Sequence, residues 1–425
     1  MKILVISYYY PPFNCIGAIR VSKTTKYLKK SGHEVKVLTC SQQLLPDDLK
    51  VEMSSDDIIY TPWININKPL QAAVGGEKRV VSSGYSVGSG KKARLMKWGG
   101  NLYKICINFP DGQIGWVPFA CKAGRKLVKQ WRPDVIFASG LPISSLLVAR
   151  FLSSKTDIPW VGELRDLWVD NSYRFMPYWR NLIEKKLEKF IFRQAKGIVT
   201  VSEPLAGVLR KKYDLPVKVI TNGFDEDDFV ETRKIEQKEK NLIIAYTGMI
   251  YEGRQDPSPL FVAVRMLREK YDVRVKVRFF GRYLQVIRDL AIRFNVEESV
   301  EINEPVTYEK SLLIQFNADI LLLILGYGEG ERGVFTGKFF EYIRSRRPIL
   351  AVGGSDNVAA NLICQRKAGF VSDAPEAITD QLLMWHQEKE KSGAIPESPE
   401  SVFAGFSRQE QAEELDSFLV ECLHS

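Results

Sequence analysis

Histidine is scarce in this chain, which has only three among 425 residues. His33 stands in a Gly-His-Glu-Val segment before a predicted strand, and His424 is next to the last residue. So few histidines argue against a histidine-based metal site and a Ser-His-Asp triad. The six cysteines are scattered, with no Cys-x-x-Cys pair. This spacing argues against a zinc site and a disulfide framework, so we expect reduced thiols and a cytoplasmic protein.

Long apolar runs are also lacking. The longest, Ile320–Leu325, is far shorter than the ~20 residues of a membrane span. The apolar start of the chain is short and has no small-residue cleavage site, so it predicts a β-strand rather than a signal peptide. We expect a protein that is soluble or peripheral on a membrane.

The charge is unbalanced toward cations. A net charge of +9 favours an anionic partner, and a nucleic acid, a diphosphate ligand or an acidic membrane surface would each fit it. The basic residues are dispersed and no nucleic-acid recognition motif is found, so nucleic acid is the least favoured partner. A Gly-x-Gly-x-x-Gly fingerprint after the first strand is also missing, which argues against a nicotinamide cofactor.

The first forty residues contain a clear β-loop-α-β pattern. Ile3–Tyr9 predicts a strand, Pro11–Gly17 a loop, Ala18–Ser31 a helix and Glu34–Thr39 a second strand. This pattern begins a parallel, doubly wound sheet.

Two series of apolar strands alternate with helices along the rest of the chain. Near-continuous apolar strands of this kind form parallel sheets covered on both faces, so the predicted fold class is α/β with two Rossmann-like domains. The predicted strands are Val135–Ala138, Trp160–Glu163, Gly197–Val201 and Val217–Thr221 in the first series, and Leu242–Tyr246, Val273–Phe280, Ser299–Ile302, Ile320–Leu325, Pro348–Val352 and Gly369–Val371 in the second.

The composition also predicts the domain boundaries. Residues 1–224 form the first domain, with an insertion at about 41–112 where the periodicity is lost. Residues 225–241 are a charged linker, and 242–400 form the second domain. The last segment, 401–425, contains the predicted helix Arg408–Leu423, which we expect to pack back on the first domain.

Five segments, spread over nearly the whole chain, together resemble the family-4 glycosyltransferases that build bacterial cell-surface polysaccharides such as lipopolysaccharide and capsule. The resemblance implies a GT-B fold, with the two domains facing across a cleft, and transfer with retention of configuration. The segments are Pro11-Pro12 with Gly17-Ala18-Ile19-Arg20 and Gly32-His33-Glu34-Val35; Glu163-Leu164-Arg165-Asp166-Leu167-Trp168; Thr221-Asn222-Gly223-Phe224-Asp225; Tyr246-Thr247-Gly248 with Gly253-Arg254; and Thr336-Gly337-Lys338-Phe339-Phe340-Glu341-Tyr342 before Arg347-Pro348-Ile349-Leu350.

A nucleotide-sugar donor leaves a nucleoside diphosphate, whose growing negative charge needs either a metal or cationic side chains and helix N-termini. The candidate metal site, the acidic run at 225–228, is interpreted as the solvated start of the linker, so no metal and no cofactor are expected. The loop glycine Gly17 lets backbone N–H groups approach a phosphate. Arg254, in a loop that carries a basic pair in the family, is the predicted phosphate contact from the other domain, although Met249 stands where an arginine is common.

The resemblance also assigns the donor site. It places Glu341 on the ribose hydroxyls, with Lys338 assisting on the phosphates. The family motif Glu-x7-Glu is incomplete because Gly333 stands where the first glutamate is expected. Glu329, Glu331 or the backbone N–H groups of residues 333–337 are candidates to replace it. The predicted donor contacts are Gly17, Gly248, Arg254, Gly337, Lys338 and Glu341.

Carboxylates after a first-domain strand supply the predicted catalytic groups, since ligands bind at the carboxyl ends of parallel strands. Glu163 and Asp166 are assigned to the donor sugar or the acceptor hydroxyl, with Arg254 as the third catalytic residue. An internal salt bridge with Arg165 is the alternative for one carboxylate. The predicted acceptor contacts are Arg20, Asp111 and Trp116.

Two basic and aromatic stretches, residues 78–104 and 173–196, raise the question of a membrane. In the second, Ile183, Leu187, Phe190 and Ile191 form a helical stripe that either packs in the core or faces anionic lipid. The leading interpretation is a glycosyltransferase acting on a glycan or a polyprenyl-diphosphate-linked acceptor. A nucleotide-sugar epimerase and a non-catalytic nucleotide-sugar-binding scaffold remain alternatives.

Overall fold

The computed structural model describes residues 1–69, 99–100, 102–103, 105–171, 174, 176–229, 239–282, 284–328, 331–333 and 335–424. The chain divides into two compact units. The first consists of Met1–Val201, Leu205–Ile220 and Ala412–Ser425, and the second of Ser202–Pro204 and Thr221–Gln411. No helix within these described ranges has both the length and the apolar character needed to cross a lipid bilayer.

The first unit is built on a parallel sheet of seven strands in the order β3-β2-β1-β4-β5-β6-β7. Ile3 of β1 pairs with Val35 on one side and with Val135 on the other, so the strand order reverses direction at β1. Such a reversal opens a crevice at the carboxyl ends of the strands. The strands are β1 (Lys2–Ser7), β2 (Glu34–Cys40), β3 (Ile58–Thr61), β4 (Val135–Gly140), β5 (Trp160–Leu164), β6 (Gly197–Thr200) and β7 (Val217–Val219).

Helices cover both faces of this sheet. Leu4 and Ile6 of β1 belong to one apolar core, and Ile3 and Val5 belong to the other, as the period of a strand requires. The first core receives side chains from α2, α3 and α4, and the second from α1. The helices are α1 (Ile16–Lys30), α2 (Val117–Trp131), α3 (Ser144–Thr156), α4 (Tyr178–Phe192) and α5 (Glu203–Lys212).

The predicted insertion contains a strand that the sequence interpretation missed. Within residues 41–112, Ile58–Thr61 forms β3 and pairs in parallel with Val37–Cys40. Ile58 is buried in the core, which explains why this short β-branched and aromatic segment joins the sheet edge. Residues 70–98, 101 and 104 of the predicted insertion lie outside the described residues.

The second unit contains a parallel sheet of six strands in the order β10-β9-β8-β11-β12-β13. Both faces are again covered, and two apolar cores flank the sheet. Its strands are β8 (Leu242–Thr247), β9 (Val275–Phe280), β10 (Val300–Asn303), β11 (Ile320–Ile324), β12 (Ile349–Val352) and β13 (Gly369–Val371). Its helices are α6 (Ser258–Tyr271), α7 (Gln285–Arg293), α8 (Tyr308–Asn317), α9 (Gly337–Arg344), α10 (Val358–Arg366) and α11 (Pro375–Ser392).

The last helix, α12 (Arg408–His424), contributes apolar side chains to the first unit. Leu415, Phe418 and Leu419 are buried in the same core as Ile3 and Val5 of β1. A Cβ atom on Gly197 of β6 would lie 2.7 Å from both Phe418 and Cys422, so the absence of a side chain there lets the helix lie against the strand.

The acidic run at 225–228 is only partly the solvated segment that the sequence predicted, since Glu226 and Asp227 are exposed. Asp225 is buried, and Phe224 and Phe229 on either side of the run belong to a core of the second unit. Glu226 accepts hydrogen bonds from the Arg344 guanidinium at 2.6 and 2.8 Å. The flanking phenylalanines therefore hold the run against the domain, while residues 230–238 of the predicted linker lie outside the described residues.

Candidate functional site

Polar side chains of the second unit meet at the carboxyl end of β8. The strand ends at Thr247, and Gly248 follows with a φ angle of +126°, which side chains rarely allow. A Cβ atom on Gly248 would lie 2.9 Å from Nζ of Lys338. The glycine thus permits both the turn and the close approach of this lysine.

Helix α9 brings Lys338 and Glu341 to the same place, because residues three apart lie on one helix face. The helix begins at Gly337, directly after Thr336. It has no side-chain cap and no acidic residue in its first turn. The N–H of Phe339 donates to the Thr336 carbonyl at 3.1 Å, so the N–H groups of Gly337 and Lys338 are the ones open to an anion. Gly337 thus lies at the helix end where phosphate is bound in many proteins.

Lys338 occupies an apolar and aromatic environment. Its Nζ lies 3.7 Å from the centroid of the Tyr246 ring, a cation–π contact. Burial lowers the pKa of Lys338 to about 7, although the nearby Glu341 opposes this shift. A bound anion would favour the charged ammonium at this position.

Glu341 is held by a short polar network. Gln315 of α8 donates one hydrogen bond to Glu341 Oε2 and one to Thr247 Oγ1, each at 3.1 Å. Burial raises the pKa of Glu341 to about 7, even though Gln315 and Lys338 favour its ionised form. The carboxyl group is therefore positioned to receive hydroxyl donors, which would stabilise its charge.

Unsatisfied polar atoms accompany these groups. Gln315 Oε1 and Thr336 Oγ1 are buried without a hydrogen-bond partner among the residues that the structure describes. Buried polar atoms are nearly always paired, by protein, water or a ligand. Gln315 lies beside Glu341, and Thr336 directly precedes α9, so both atoms are available to pair with a polar molecule there.

The loop that carries Arg254 is anchored to the same sheet edge. Gln255 Nε2 donates to the carbonyl of Ile324, the last residue of β11, at 2.9 Å, while the N–H of Arg254 donates to Tyr251 at 3.1 Å. The Arg254 side chain is exposed.

Of the candidates to replace the missing glutamate, Glu331 is described and Glu329 lies outside the described residues. The carboxyl carbon of Glu331 lies 2.4 Å from the position of a Cβ on Gly326, just beyond β11. Glu331 therefore lies against the carboxyl edge of this sheet. Gly333 is buried.

In the first unit, Gly17 leaves room for an arginine. A Cβ atom at Gly17 would lie 2.5 Å from Nη1 of Arg165. Two hydrogen bonds fix Arg165, from Nε to the carbonyl of Gly140 at 3.0 Å and from Nη2 to that of Leu141 at 2.7 Å. This contact explains why residue 17 is a glycine. The same contact places a guanidinium beside the first turn of α1.

Arg20 and Glu163 were predicted to contact ligands, but they form a buried ion pair with each other. Arg20 donates to Glu163 Oε1 at 2.8 Å and to the Ile220 carbonyl at 2.9 Å, and Ser139 Oγ donates to Glu163 Oε2 at 2.5 Å. Burial alone would raise the pKa of Glu163, but Arg20, Arg165 and these hydrogen bonds lower it below its usual value. The structure favours a structural role for this pair. The alternative salt bridge of Glu163 with Arg165 is replaced by one with Arg20.

The other first-domain candidates are divided between surface and core. Asp166 is exposed at the end of β5. Asp111 instead holds the start of α3, since it accepts from the Ser144 N–H at 2.8 Å and the Ser144 hydroxyl at 2.6 Å. Trp116 is fully buried and donates to Thr61 Oγ1 at 2.7 Å. Asp111 and Trp116 are therefore parts of the domain structure rather than of an open acceptor surface.

Four predicted donor residues lie together in the second unit, namely Gly248, Gly337, Lys338 and Glu341. Sequence reasoning missed the partners Tyr246, Thr247 and Gln315. The first two belong to the Tyr246-Thr247-Gly248 segment that carries part of the family resemblance, so their position next to Gly248 is a usable signal. No sequence signal points to Gln315, because its helix is brought to the site only by the sheet order β8-β11.

Comparison with protein families and with solved structures defines the class of fold. Residues 18–228 match the model of Glycosyltransferase Family 4. No curated protein sequence matches the chain significantly. The match covers six of the seven strands of the first-unit sheet, β2 to β7.

Solved structures resemble the chain over both units. Sucrose-phosphate synthase from Thermosynechococcus elongatus is 13% identical with a TM-score of 0.65, covering 99% of this chain and 98% of that one. The lipopolysaccharide outer core galactosyltransferase WaaB, in its apo form, is 13% identical with a TM-score of 0.55 and covers 99% of each chain. UDP-GlcNAc 2-epimerase from Methanocaldococcus jannaschii is 15% identical with a TM-score of 0.53, covering 99% of this chain and 100% of that one. The predicted fold class is confirmed: the chain has the GT-B fold, with two Rossmann-like domains.

Proposed function

We propose that this protein is a retaining glycosyltransferase that moves a sugar from a nucleotide diphosphate to a glycan or a polyprenyl-diphosphate-linked acceptor. The observation that carries the proposal is that Lys338 and Glu341 lie together beside Gly248, at the carboxyl end of β8. A cation, an open helix N-terminus and a carboxyl group in one place fit a diphosphate joined to a ribose.

Each group has a proposed task. Glu341 accepts the ribose hydroxyls, while Lys338 and the N–H groups at the start of α9 bind the phosphates. Arg254 adds a further cation, and Gly17 remains a proposed phosphate contact from the first unit. Glu331 is the proposed substitute for the missing glutamate, because its carboxyl group lies against Gly326.

The reaction breaks the bond between the anomeric carbon and the phosphate oxygen and forms one to the acceptor oxygen. In the proposed mechanism the departing phosphate oxygen takes the acceptor proton and guides the hydroxyl to the same face of the sugar, so configuration is retained. Lys338 and the helix N-terminus stabilise the charge that develops on the leaving group, without a metal. Asp166, which is exposed, is the proposed carboxylate for the sugar or the acceptor hydroxyl.

The match to the family and the resemblance to a lipopolysaccharide galactosyltransferase support a role in cell-surface polysaccharide biosynthesis. Such a role fits a cytoplasmic enzyme that acts at the inner membrane surface. An epimerase is the second candidate, because a UDP-GlcNAc 2-epimerase has the same fold. The glycine at 333 favours a third, a binding protein without turnover.

Release of nucleoside diphosphate from a panel of UDP-, GDP- and ADP-sugars tests the proposal. We expect slow release from one donor without acceptor, faster release with a polyprenyl-diphosphate-linked glycan, and no loss of activity with EDTA. Lys338→Met should lower the rate at least tenfold, since one charge-assisted contact to the leaving group is lost. Interconversion of the sugars would identify an epimerase, and binding without release would identify a scaffold.

A further inference from the structure

Helix α4 has an unusual orientation in the first unit. Its charged residues Arg180, Glu184 and Glu188 are buried, together with Ile191. The predicted apolar stripe is therefore divided: Ile191 is in the core and Leu187 packs against it, but Ile183 is 46% and Phe190 54% exposed.

The outward side of α4 carries large apolar groups. Tyr178 is 83% and Trp179 50% exposed, and Leu182 is 46% exposed on the next turn. Isolated exposed apolar residues are ordinary, but several on one helix mark an interaction surface. Tyr173 and Phe175 of the same predicted patch lie outside the described residues.

The surface of α4 also lacks acidic groups. Glu184 and Glu188 are the only acids between residues 178 and 196, and both face inward. Arg174 and Arg180 pair with Glu184 at 2.9 and 2.8 Å, and Lys212 pairs with Glu188. The outward charges are all cations: Lys185, Lys186, Lys189, Arg193 and Lys196.

Two shallow grooves run along this face. One, of about 500 Å³, lies between α4 and α5 and combines Leu182 and Val208 with Lys185, Lys189 and Lys211. Its acid, Asp170, is already paired with Lys212 at 2.6 Å. The second groove, of about 540 Å³, lies beside Phe190 and Arg193. Both grooves have apolar walls with lysines at their edges, and the second also contains one acid, Asp214.

The cationic surface continues over the neighbouring helices. Helices α2 and α3 contribute to the same core as α4, on the same face of the sheet, and neither contains an acidic residue. Lys122, Arg125, Lys126 and Lys129 of α2 line or border another groove of about 500 Å³. The Arg150 guanidinium of α3 lies 4.7 Å from the ring centroid of Phe190 on α4.

We propose that this face of the first unit docks on an anionic lipid membrane, with α4 lying in the headgroup region. Transfer of aromatic and aliphatic side chains from water into the headgroup region lowers the free energy, and lysines of the same helix reach the lipid phosphates. Leu182, Ile183 and Val208 have neither hydrogen-bonding groups nor rings for a nucleic acid, so lipid is the partner that uses the whole surface. The inference names the membrane partner of the proposed transferase, but vesicle binding does not require sugar transfer.

Flotation with vesicles at 150 mM salt tests the docking. The full-length protein is mixed with vesicles of phosphatidylcholine, either pure or with one third phosphatidylglycerol. We expect at least tenfold tighter binding to the anionic vesicles, and at least tenfold loss in the variant Lys185→Glu/Lys186→Glu/Lys189→Glu. The variant Trp179→Ser/Ile183→Ser/Phe190→Ser should lose binding as well, since the apolar part of the contact is removed.

Matched controls distinguish binding through this surface from nonspecific electrostatic or hydrophobic adsorption. Lys270→Glu/Lys310→Glu/Lys391→Glu changes the net charge equally on the second unit, and Ile292→Ser removes an exposed apolar residue there. Both should bind like the wild type. Circular dichroism verifies folding, and the single variants Lys185→Glu and Phe190→Ser replace any triple variant that unfolds.

The proposal is overturned by equal binding to both vesicle types, by equal loss in the control variants, by displacement from vesicles with equimolar RNA, or by light scattering that shows a dimer formed through this face. Donor hydrolysis without vesicles, measured on the same variants, should stay at the wild-type rate. Donor hydrolysis without vesicle binding would support the proposed function and contradict the membrane surface. Vesicle binding without donor hydrolysis would support the membrane surface alone.

Discussion

At the scale of single residues, Lys338 and Glu341 have pKa values shifted toward each other, both to about 7. Burial causes both shifts, because it disfavours the charged form of each group. A diphosphate would restore the charge of Lys338, and ribose hydroxyls would restore that of Glu341. Ligand binding and protonation are therefore linked at this site.

This linkage predicts the pH dependence of donor binding. Affinity should decrease above pH 7, where Lys338 loses the proton that a diphosphate requires, and below pH 7, where Glu341 gains a proton and no longer accepts from the ribose. The affinity for the nucleotide sugar, measured by titration calorimetry at several pH values between 5.5 and 8.5, should be highest near neutrality. The diphosphate of a nucleotide sugar does not itself titrate there.

Variants assign the two limbs of this profile. Lys338→Met should remove the decrease at high pH, and Glu341→Gln the decrease at low pH, while both weaken binding overall. A profile whose alkaline limb survives in Lys338→Met would show that another group titrates, and the assignment of Lys338 to the phosphates would be wrong.

The second-unit candidates lie together in the structure, whereas the first-unit candidates Arg20 and Glu163 pair with each other, and the difference has a physical reason. Gly248 and Glu341 occupy positions that a glycine conformation and a helix start explain locally. Arg20 and Glu163 are far apart in the chain, and their pairing depends on how α1 lies over β5. No local pattern reports that a strand-end carboxylate already has a buried partner.

At the scale of secondary-structure elements, α4 shows how a helical period can be recognised while the side that it buries stays open. The apolar spacing correctly predicted a helix. It did not show that Arg180 and Glu184 would be buried as a pair, because the cost of burying each charge is offset only by a partner that the fold supplies. The strand β3 was missed because its four residues are too few to show a period.

The buried pair on α4 predicts a large effect on stability. Glu184→Ala would leave Arg180 buried without its carboxylate, which should cost about 3–5 kcal/mol. Denaturant unfolding followed by tryptophan fluorescence measures this, since all tryptophans except Trp385 lie in the first unit. The double variant Arg180→Met/Glu184→Leu should recover a large part of the loss.

Glu390→Ala is the matched control, because the Glu390 side chain is 66% exposed next to His386. Its effect should stay below about 0.5 kcal/mol. If Glu184→Ala destabilised the protein no more than this control, the buried pair would not be a structural element of the first unit.

At the scale of the whole molecule, the order of strands and helices made the fold predictable. Two series of apolar strands separated by helices admit few parallel topologies, since crossover connections are right-handed and short. The domain boundaries at 225–241 stay a prediction, with Phe224 and Phe229 now placed in a second-unit core. The donor sugar and the acceptor were not predictable, because they depend on loop side chains rather than on the sheet.

The proposed function requires that the second unit hold a nucleotide sugar between Lys338 and Glu341. Calorimetric titration of UDP-, GDP- and ADP-sugars into wild type, Glu341→Ala and Glu390→Ala tests it most directly. We predict saturable binding of at least one nucleotide sugar, weakened about 10- to 100-fold by Glu341→Ala, as expected for hydrogen bonds to a charged group, and unchanged by Glu390→Ala. Binding by none of these ligands, or equal affinity in Glu341→Ala, would contradict it.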